Sequence, residues 1–174
     1  MNQLGICLTV AILVLTTGRK VSWEDLIADI RIALKQAFPG EGVEEYYKIR
    51  ITETADITGD GVPEALVYLG TGGAYTDELT LMRVKNGKPV VARFKQKKGG
   101  VSPLIFLSGS SVRHQESVKM LPDRRAIYSM SSETDDSGRK AKCGVVAYEW
   151  TAETQTFDWN RSLSGQLTEG NCRD

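Results

Sequence analysis

Apolar and polar residues follow two rhythms along this chain. Between residues 22 and 38, Leu26, Ile27, Ile30, Ala33, Leu34, Ala37 and Phe38 recur at three- and four-residue intervals with charged residues between them, which predicts an amphipathic helix. Ser22 is placed to cap it, Glu24 and Asp25 suit its positive end, and Pro39 with Gly40 stops it. From residue 46 onward, short β-branched and aromatic runs alternate with Gly, Asn, Asp and Pro. That punctuation predicts strands over 46–52, 65–69, 78–85, 89–95, 104–107, 112–120, 126–131, 144–150 and 156–159. In VKNGKPVV, Asn86 and Gly87 accept the positive φ of a type I′ hairpin. YEWTAETQTFDW predicts a second hairpin with residues 151–154 at its tip, and SSETDDSGRK a polar loop. The expected fold is α+β and mainly antiparallel: a multi-stranded meander sheet with the N-terminal amphipathic helix packed on it. No internal repeat is present, which excludes a complete solenoid or propeller.

The run LGICLTVAILVL, residues 4–15, has no charge and is followed by Thr16, Thr17 and Gly18. Its length suits a signal-peptide core and is short for a bilayer span. Residues 1–18 are therefore expected to be a signal peptide, or a membrane anchor if uncleaved, although MNQ before the run lacks Lys and Arg. Residues 19–174 then form a single, mainly β domain with its helix at 22–38, exported to the periplasm or secreted. Losing the leader removes Cys7 and leaves Cys143 and Cys172, an even pair that reads as one disulfide in an exported chain. Such a bridge closes a loop of about 30 residues and contributes roughly 3–4 kcal/mol in the chain-entropy model. Lys plus Arg and Asp plus Glu number 22 each, with no long block of one sign. Nucleic acid is thus not an indicated partner, and membrane contact is expected only through the N-terminal segment. The expected partner is an unidentified protein or carbohydrate.

The candidate chemistry lies in ADITGDGVPEALVYLG, residues 55–70. With Asp56 as position one, Thr58, Asp60, Gly61 and Glu64 fall at positions three, five, six and nine, and the Val62 carbonyl at seven. Alternate oxygens around a Gly-containing turn can converge on a hard cation, and calcium tolerates many oxygens at irregular angles. An EF-hand would need Glu at position twelve and a helix after it. Here Val67 occupies that position and an apolar run follows, which predicts a strand. The stretch DITGDGVPEALVYLG resembles the calcium loop and outgoing strand of FG-GAP or VCBS-type repeats. The resemblance implies calcium bound by Asp56, Thr58, Asp60, Val62 and Glu64 between two strands. The stretch departs from those repeats at Thr58, where Asp or Asn is usual, and at Glu64, where Asp is commoner. Weak affinity follows, of the order of 10⁻⁴–10⁻³ M. The competing reading is a polar turn with solvated carboxylates, in which Gly59 and Gly61 supply positive φ.

Other features are weaker. His114 stands near Ser110, Ser111 and Glu116, the raw material of a hydrolytic triad, but no nucleophile elbow is present. Trp150, Phe157 and Trp159 flank a proposed hairpin and suit cross-strand core pairing better than a carbohydrate platform. The function expected is that of a small exported calcium-binding β domain with a binding or structural role through its surface. The alternatives are a secreted hydrolase using His114 with Ser110 or Ser111, and a metal-free structural domain.

Overall fold

The computed structural model describes residues 22–40, 48–71 and 75–172, so the expected leader lies outside the described residues. Helix α1 (Ile27–Ala37) follows a 3₁₀ turn at Glu24–Leu26. Among the described residues eleven strands come next: β1 (Arg50–Ala55), β2 (Glu64–Thr71), β3 (Thr76–Lys85), β4 (Lys88–Val91), β5 (Phe94–Lys95), β6 (Val101–Ser102), β7 (Phe106–Ser110), β8 (His114–Leu121), β9 (Ala126–Thr134), β10 (Lys140–Thr151) and β11 (Thr156–Trp159). Helix α2 (Arg161–Asn171) ends the described chain. The architecture is α+β and mostly antiparallel, as the sequence pattern implies.

The strands run in the order β1-β2-β3-β7-β8-β9-β10-β11-β5-β6, while β4 pairs with β3. Two meanders are visible in that order, β1 to β3 and β7 to β11. The expected strand 89–95 is instead two strands with different neighbours: β4 pairs antiparallel with β3, and β5 pairs parallel with β11. Between them, the Ala92 N–H donates to Leu81 O at 2.8 Å and the Phe157 N–H donates to Arg93 O at 2.9 Å. One continuous segment therefore crosses from β3 to β11, and the sheet closes on itself through β3. This joining encloses a core, while β1 and β6 remain at the ends of the strand order. Phe94 sits in that core with no exposure, its ring 5.4 Å from Phe106, 5.1 Å from Tyr148 and 5.4 Å from Phe157. Trp150 and Phe157 are register partners with centroids 5.1 Å apart, the cross-strand pairing expected of them.

Period-two alternation decides which core each residue joins. On β2, Leu66 and the partly buried Tyr68 belong to the enclosed core, while Ala65, Val67 and Leu69 face α1. On β3, Leu79 and Leu81 point inward and Met82 outward. Helix α1 buries Ile30, Ala33 and Leu34 against that outer face, the face its periodicity predicts. Ser22 does not cap the helix. Its hydroxyl donates to Glu24 Oε2 at 3.4 Å, and among the described residues neither the 3₁₀ turn nor α1 has a side-chain cap hydrogen bond from its N-cap residue. Trp23 anchors this end instead, its buried indole Nε1 donating to Pro63 O at 3.0 Å. The expected strand 46–52 begins at Arg50 among the described residues, and the polar loop narrows to 135–139 because β9 and β10 pair out to Thr134 and Lys140. Asn86 and Gly87 adopt φ of 53° and 74°, as the hairpin requires.

Helix α2 was not expected. Its N-cap Asn160 accepts the Leu163 N–H at 2.9 Å, which supplies the start signal. The helix covers a bare stretch of β10: β11 pairs only with residues 148–151, and beyond them Ser164 Oγ accepts from the Ala147 N–H at 2.9 Å and Thr168 Oγ1 from the Val145 N–H at 3.1 Å. Leu163 packs beneath, against Ala126, Tyr128, Val145 and Ala147. The Cys143–Cys172 disulfide, with Cα atoms 5.6 Å apart, pins the helix end to β10. Replacing both cysteines with serine should lower stability by roughly 3–4 kcal/mol. Ser164→Ala and Thr168→Ala should each cost about 1 kcal/mol by leaving a strand N–H unpaired. Urea unfolding curves check both values, and an unchanged midpoint for the double serine variant would remove the stapling role.

Candidate functional site

The acidic turn joins β1 to β2, whose last register pair before it is Ala55 and Glu64. It folds over one end of the closed sheet, because Ile57 is fully buried in the enclosed core with Leu66, Leu81 and Trp150. Gly59 and Gly61 take φ of 74° and 82°, values that glycine adopts without penalty. The chain wraps around Asp56, whose Oδ1 accepts from the Gly59 N–H at 2.7 Å and Oδ2 from the Gly61 N–H at 2.9 Å. Asp60 Oδ1 accepts from the Val62 N–H at 2.9 Å.

Glu64 behaves differently from the two aspartates. Only 1% exposed, it accepts from the Ile57 and Thr58 N–H groups through Oε2 at 3.0 and 3.1 Å, and from the buried Thr58 hydroxyl through Oε1 at 3.1 Å. The fourth partner is Arg83, whose Nε lies 3.6 Å from Oε1. A carboxylate offers about four acceptor sites, so the protein engages this one on every side.

Arg83 shares the inward parity of Leu79 and Leu81 and stands one step beyond the Ala65–Met82 register pair, opposite Glu64. Its side chain is 9% exposed, and its Nε has no hydrogen-bond partner among the described residues. The guanidinium lies 3.9 Å from the centroid of Trp150, and Nη2 donates to Gln155 Oε1 at 3.4 Å. A desolvated cation–π contact of this kind contributes about 2 kcal/mol. From the other side, Arg125 Nη2 donates to Thr58 O, and a Cβ built on Gly59 would come within 3.3 Å of Arg125 Nε. Arg125 and Gln155 hold their side chains here from backbone φ of 48° and 55°, values uncommon outside glycine.

The five expected ligand residues are thus near neighbours but divided. Thr58 and Glu64 turn inward to each other, with Glu64 facing Arg83, while Asp56 and Asp60 accept from the backbone on the more exposed side of the turn. Val62 is half-buried and gives its N–H to Asp60. Among the described residues, no three His, Cys, Asp or Glu side chains form a group able to hold a metal ion. In this arrangement Glu64 and Thr58 spend their side-chain oxygens on protein partners, which they would have to exchange to bind calcium together with Asp56, Asp60 and Val62. Sequence reasoning missed Arg83, Arg125 and Gln155. The available signal was a charged residue at the inward parity of β3.

Ser110, Ser111 and His114 do meet, around an open cavity of about 210 Å³ that Ser132, Thr134 and Lys140 also line. Ser111 Oγ accepts from the His114 backbone N–H at 3.2 Å, and the imidazole is 61% exposed with Nδ1 4.0 Å from Glu133 Oε1. The imidazole is therefore open to solvent. The chain matches no protein-family model, no curated protein and no solved structure.

Burial raises the Glu64 carboxyl above its ordinary value of 4.5, outweighing the Ile57 and Thr58 hydrogen bonds, with Asp60 pushing the same way and Arg83 opposing. Burial likewise lowers Arg83, against the attraction of Glu64 and Asp60. The folded state therefore holds the Glu64 proton more tightly than the unfolded chain. Its contribution to stability is complete below pH 4.5 and is lost as pH rises through the raised value. Melting temperatures of the native protein and Glu64→Gln, measured across that window, should show the native advantage shrinking as pH rises. An advantage that grows with pH would mean that the ion pair overrides desolvation.

Proposed function

We propose that this chain is an exported, non-catalytic β domain that acts by contact through its surface, and that its acidic turn is an architectural clasp on the end of the closed sheet. One observation carries the reading: Glu64, the buried acid of the motif, is engaged by two backbone N–H groups, the Thr58 hydroxyl and Arg83. An acid so engaged holds structure and is not free to move protons. The Cys143–Cys172 disulfide suits an oxidising compartment outside the cytoplasm. The partner class is a protein or carbohydrate surface.

A second reading keeps calcium, with Asp56, Thr58, Asp60, Val62 and Glu64 as ligands. What favours it is the wrapping of the turn around Asp56, with Gly59 and Gly61 donating from positive φ. Thermal melting in a chelator and in millimolar calcium separates the two. A clasp held by protein groups melts at the same temperature in both, and Glu64→Ala costs about 3–5 kcal/mol in either, since it strands a buried charge. A calcium site gains stability by mass action, about 2.7 kcal/mol at a hundredfold excess over Kd. A clear calcium-dependent rise in the native protein would overturn the metal-free clasp.

A further inference from the structure

We propose that the cavity beside the β7–β8 turn binds a tetrahedral oxyanion, phosphate or sulfate, either free or carried as an ester on the surface this domain meets. The inference rests on the reading of a domain that acts by contact, and it gives that contact a place and a charge.

Four strand ends build the walls. Ser110 is the register partner of Gln115, Gln115 of Ser132, and Thr134 of Lys140. Register partners share a face, as do residues two apart on one strand, so these five side chains stand on one side of the sheet. All five line the cavity of about 210 Å³. His114, Glu133 and Lys142 form the alternate row, which places the Glu133 carboxylate on the opposite face, 4.0 Å from the imidazole and 3.1 Å from the Lys142 ammonium. Among the described residues no carboxylate lines the cavity. The turn above it is tied down, because the Ser111 N–H donates to His114 O at 2.7 Å and the Thr134 N–H to Arg113 O at 2.8 Å.

The groups that line this space are largely unclaimed by the protein. Ser132 is only 8% exposed, yet among the described residues its hydroxyl has no hydrogen-bond partner. A hydroxyl so enclosed is normally bonded, and the cavity it borders is where a partner fits. Ser110, Gln115 and Lys140 likewise make no side-chain hydrogen bond or ion pair among the described residues. Arg113 is neutralised by Asp136, Nη2 to Oδ1 at 2.6 Å, which leaves the Lys140 ammonium as the uncompensated charge of the lining. Hydroxyls, an amide and an ammonium around one space, with no acid among them, select an anion. A metal ion would find no anionic ligand there and would meet Lys140. Donors arriving from four strand ends match an oxyanion with oxygens on all sides better than a planar carboxylate.

Amide NMR titrations of the native protein with inorganic phosphate and inorganic sulfate, against chloride at equal ionic strength, test the site. Saturating shifts confined to residues around Ser110, Gln115, Ser132 and Thr134 are expected; shifts that fail to saturate, or that chloride reproduces, would overturn it. Ser132→Ala and Lys140→Met should each weaken binding about tenfold, the loss of one hydrogen bond to a charged group. Lys88→Met, outside the lining on β4, should change nothing. Ser132→Ala should also keep the native melting temperature, since its hydroxyl serves no other group. Unchanged affinity in Ser132→Ala, an equal loss in Lys88→Met, or a Ser132→Ala protein melting well below the native one would each sink the proposal and leave the contact reading standing. Dextran sulfate against plain dextran separates the two sources. Displacement of inorganic sulfate by the sulfated polymer, weakened in Ser132→Ala, supports an ester on a carbohydrate, and binding of the free ion without such displacement supports the ion itself. Hydrolysis of p-nitrophenyl phosphate that is lost in Ser132→Ala would uphold the anion site and overturn the non-catalytic reading instead.

Discussion

The end of the closed sheet depends on one contact, the buried carboxylate of Glu64 facing the buried guanidinium of Arg83. Elements far apart in sequence converge on it: the β1–β2 turn through Ile57 and Thr58, β3 through Arg83 itself, β10 through Trp150, and the β10–β11 tip through Gln155. Desolvation opposes the pair, and burial shifts both groups toward their neutral forms. Its value to the fold is therefore register more than net stability. A one-residue slip of β2 would turn Glu64 toward the apolar face of α1, where Ile30 and Leu34 offer no cation. Breaking the pair costs more than the pair contributes, because either partner alone is a stranded charge.

The remaining architecture handles the free edges that a sheet of short strands creates. Crossing of the 88–95 segment from β3 to β11 closes the sheet, and the Phe94 ring fills the interior at that seam. Helix α2 serves β10 where β11 is too short to pair with it, lending Ser164 and Thr168 hydroxyls as strand-like acceptors. Side-chain hydroxyls from a helix are loose substitutes for a strand carbonyl ladder. That explains why the helix is fastened at both ends, by Asn160 at its start and by the disulfide at its finish.

Much of this was legible in the sequence. The α1 stripe, the meander sheet, the Asn86–Gly87 hairpin and the Cys143–Cys172 bridge follow from local periodicity, turn chemistry and cysteine count, all of which act over short range or by elimination. Helix α2 was hidden because Gly165 and Gly170 lower its propensity and only Leu163 and Leu167 mark its apolar side. Closure was hidden because nothing within 88–95 says that its two halves serve different strands. In the turn, spacing identified Asp56, Asp60 and Glu64 as a unit. It could not show which acid faces inward, since that depends on β3. Parity held the clue: Arg83 follows Leu79 and Leu81 at alternate positions, and a cation on a core-facing register needs an acid opposite it.

A cation carried by the chain differs physically from one drawn from solution. A bound metal stabilises in proportion to the logarithm of its concentration, so a fold closed by calcium loosens wherever calcium is scarce. A tethered guanidinium has an effective concentration fixed by the fold, and it loses no translational entropy when the turn closes. It also brings a planar face, which Trp150 covers at 3.9 Å, so part of its desolvation is offset by a contact that no metal ion could make with the same geometry. The limitation is directional: a guanidinium meets carboxylates in its own plane, whereas an ion accepts oxygens from all sides. The unpartnered Nε of Arg83, 3.6 Å from Glu64, is where that mismatch is visible. Arg125 holds the turn from the opposite side through the Thr58 carbonyl, and Asp56 and Asp60 accept from the backbone of the turn itself.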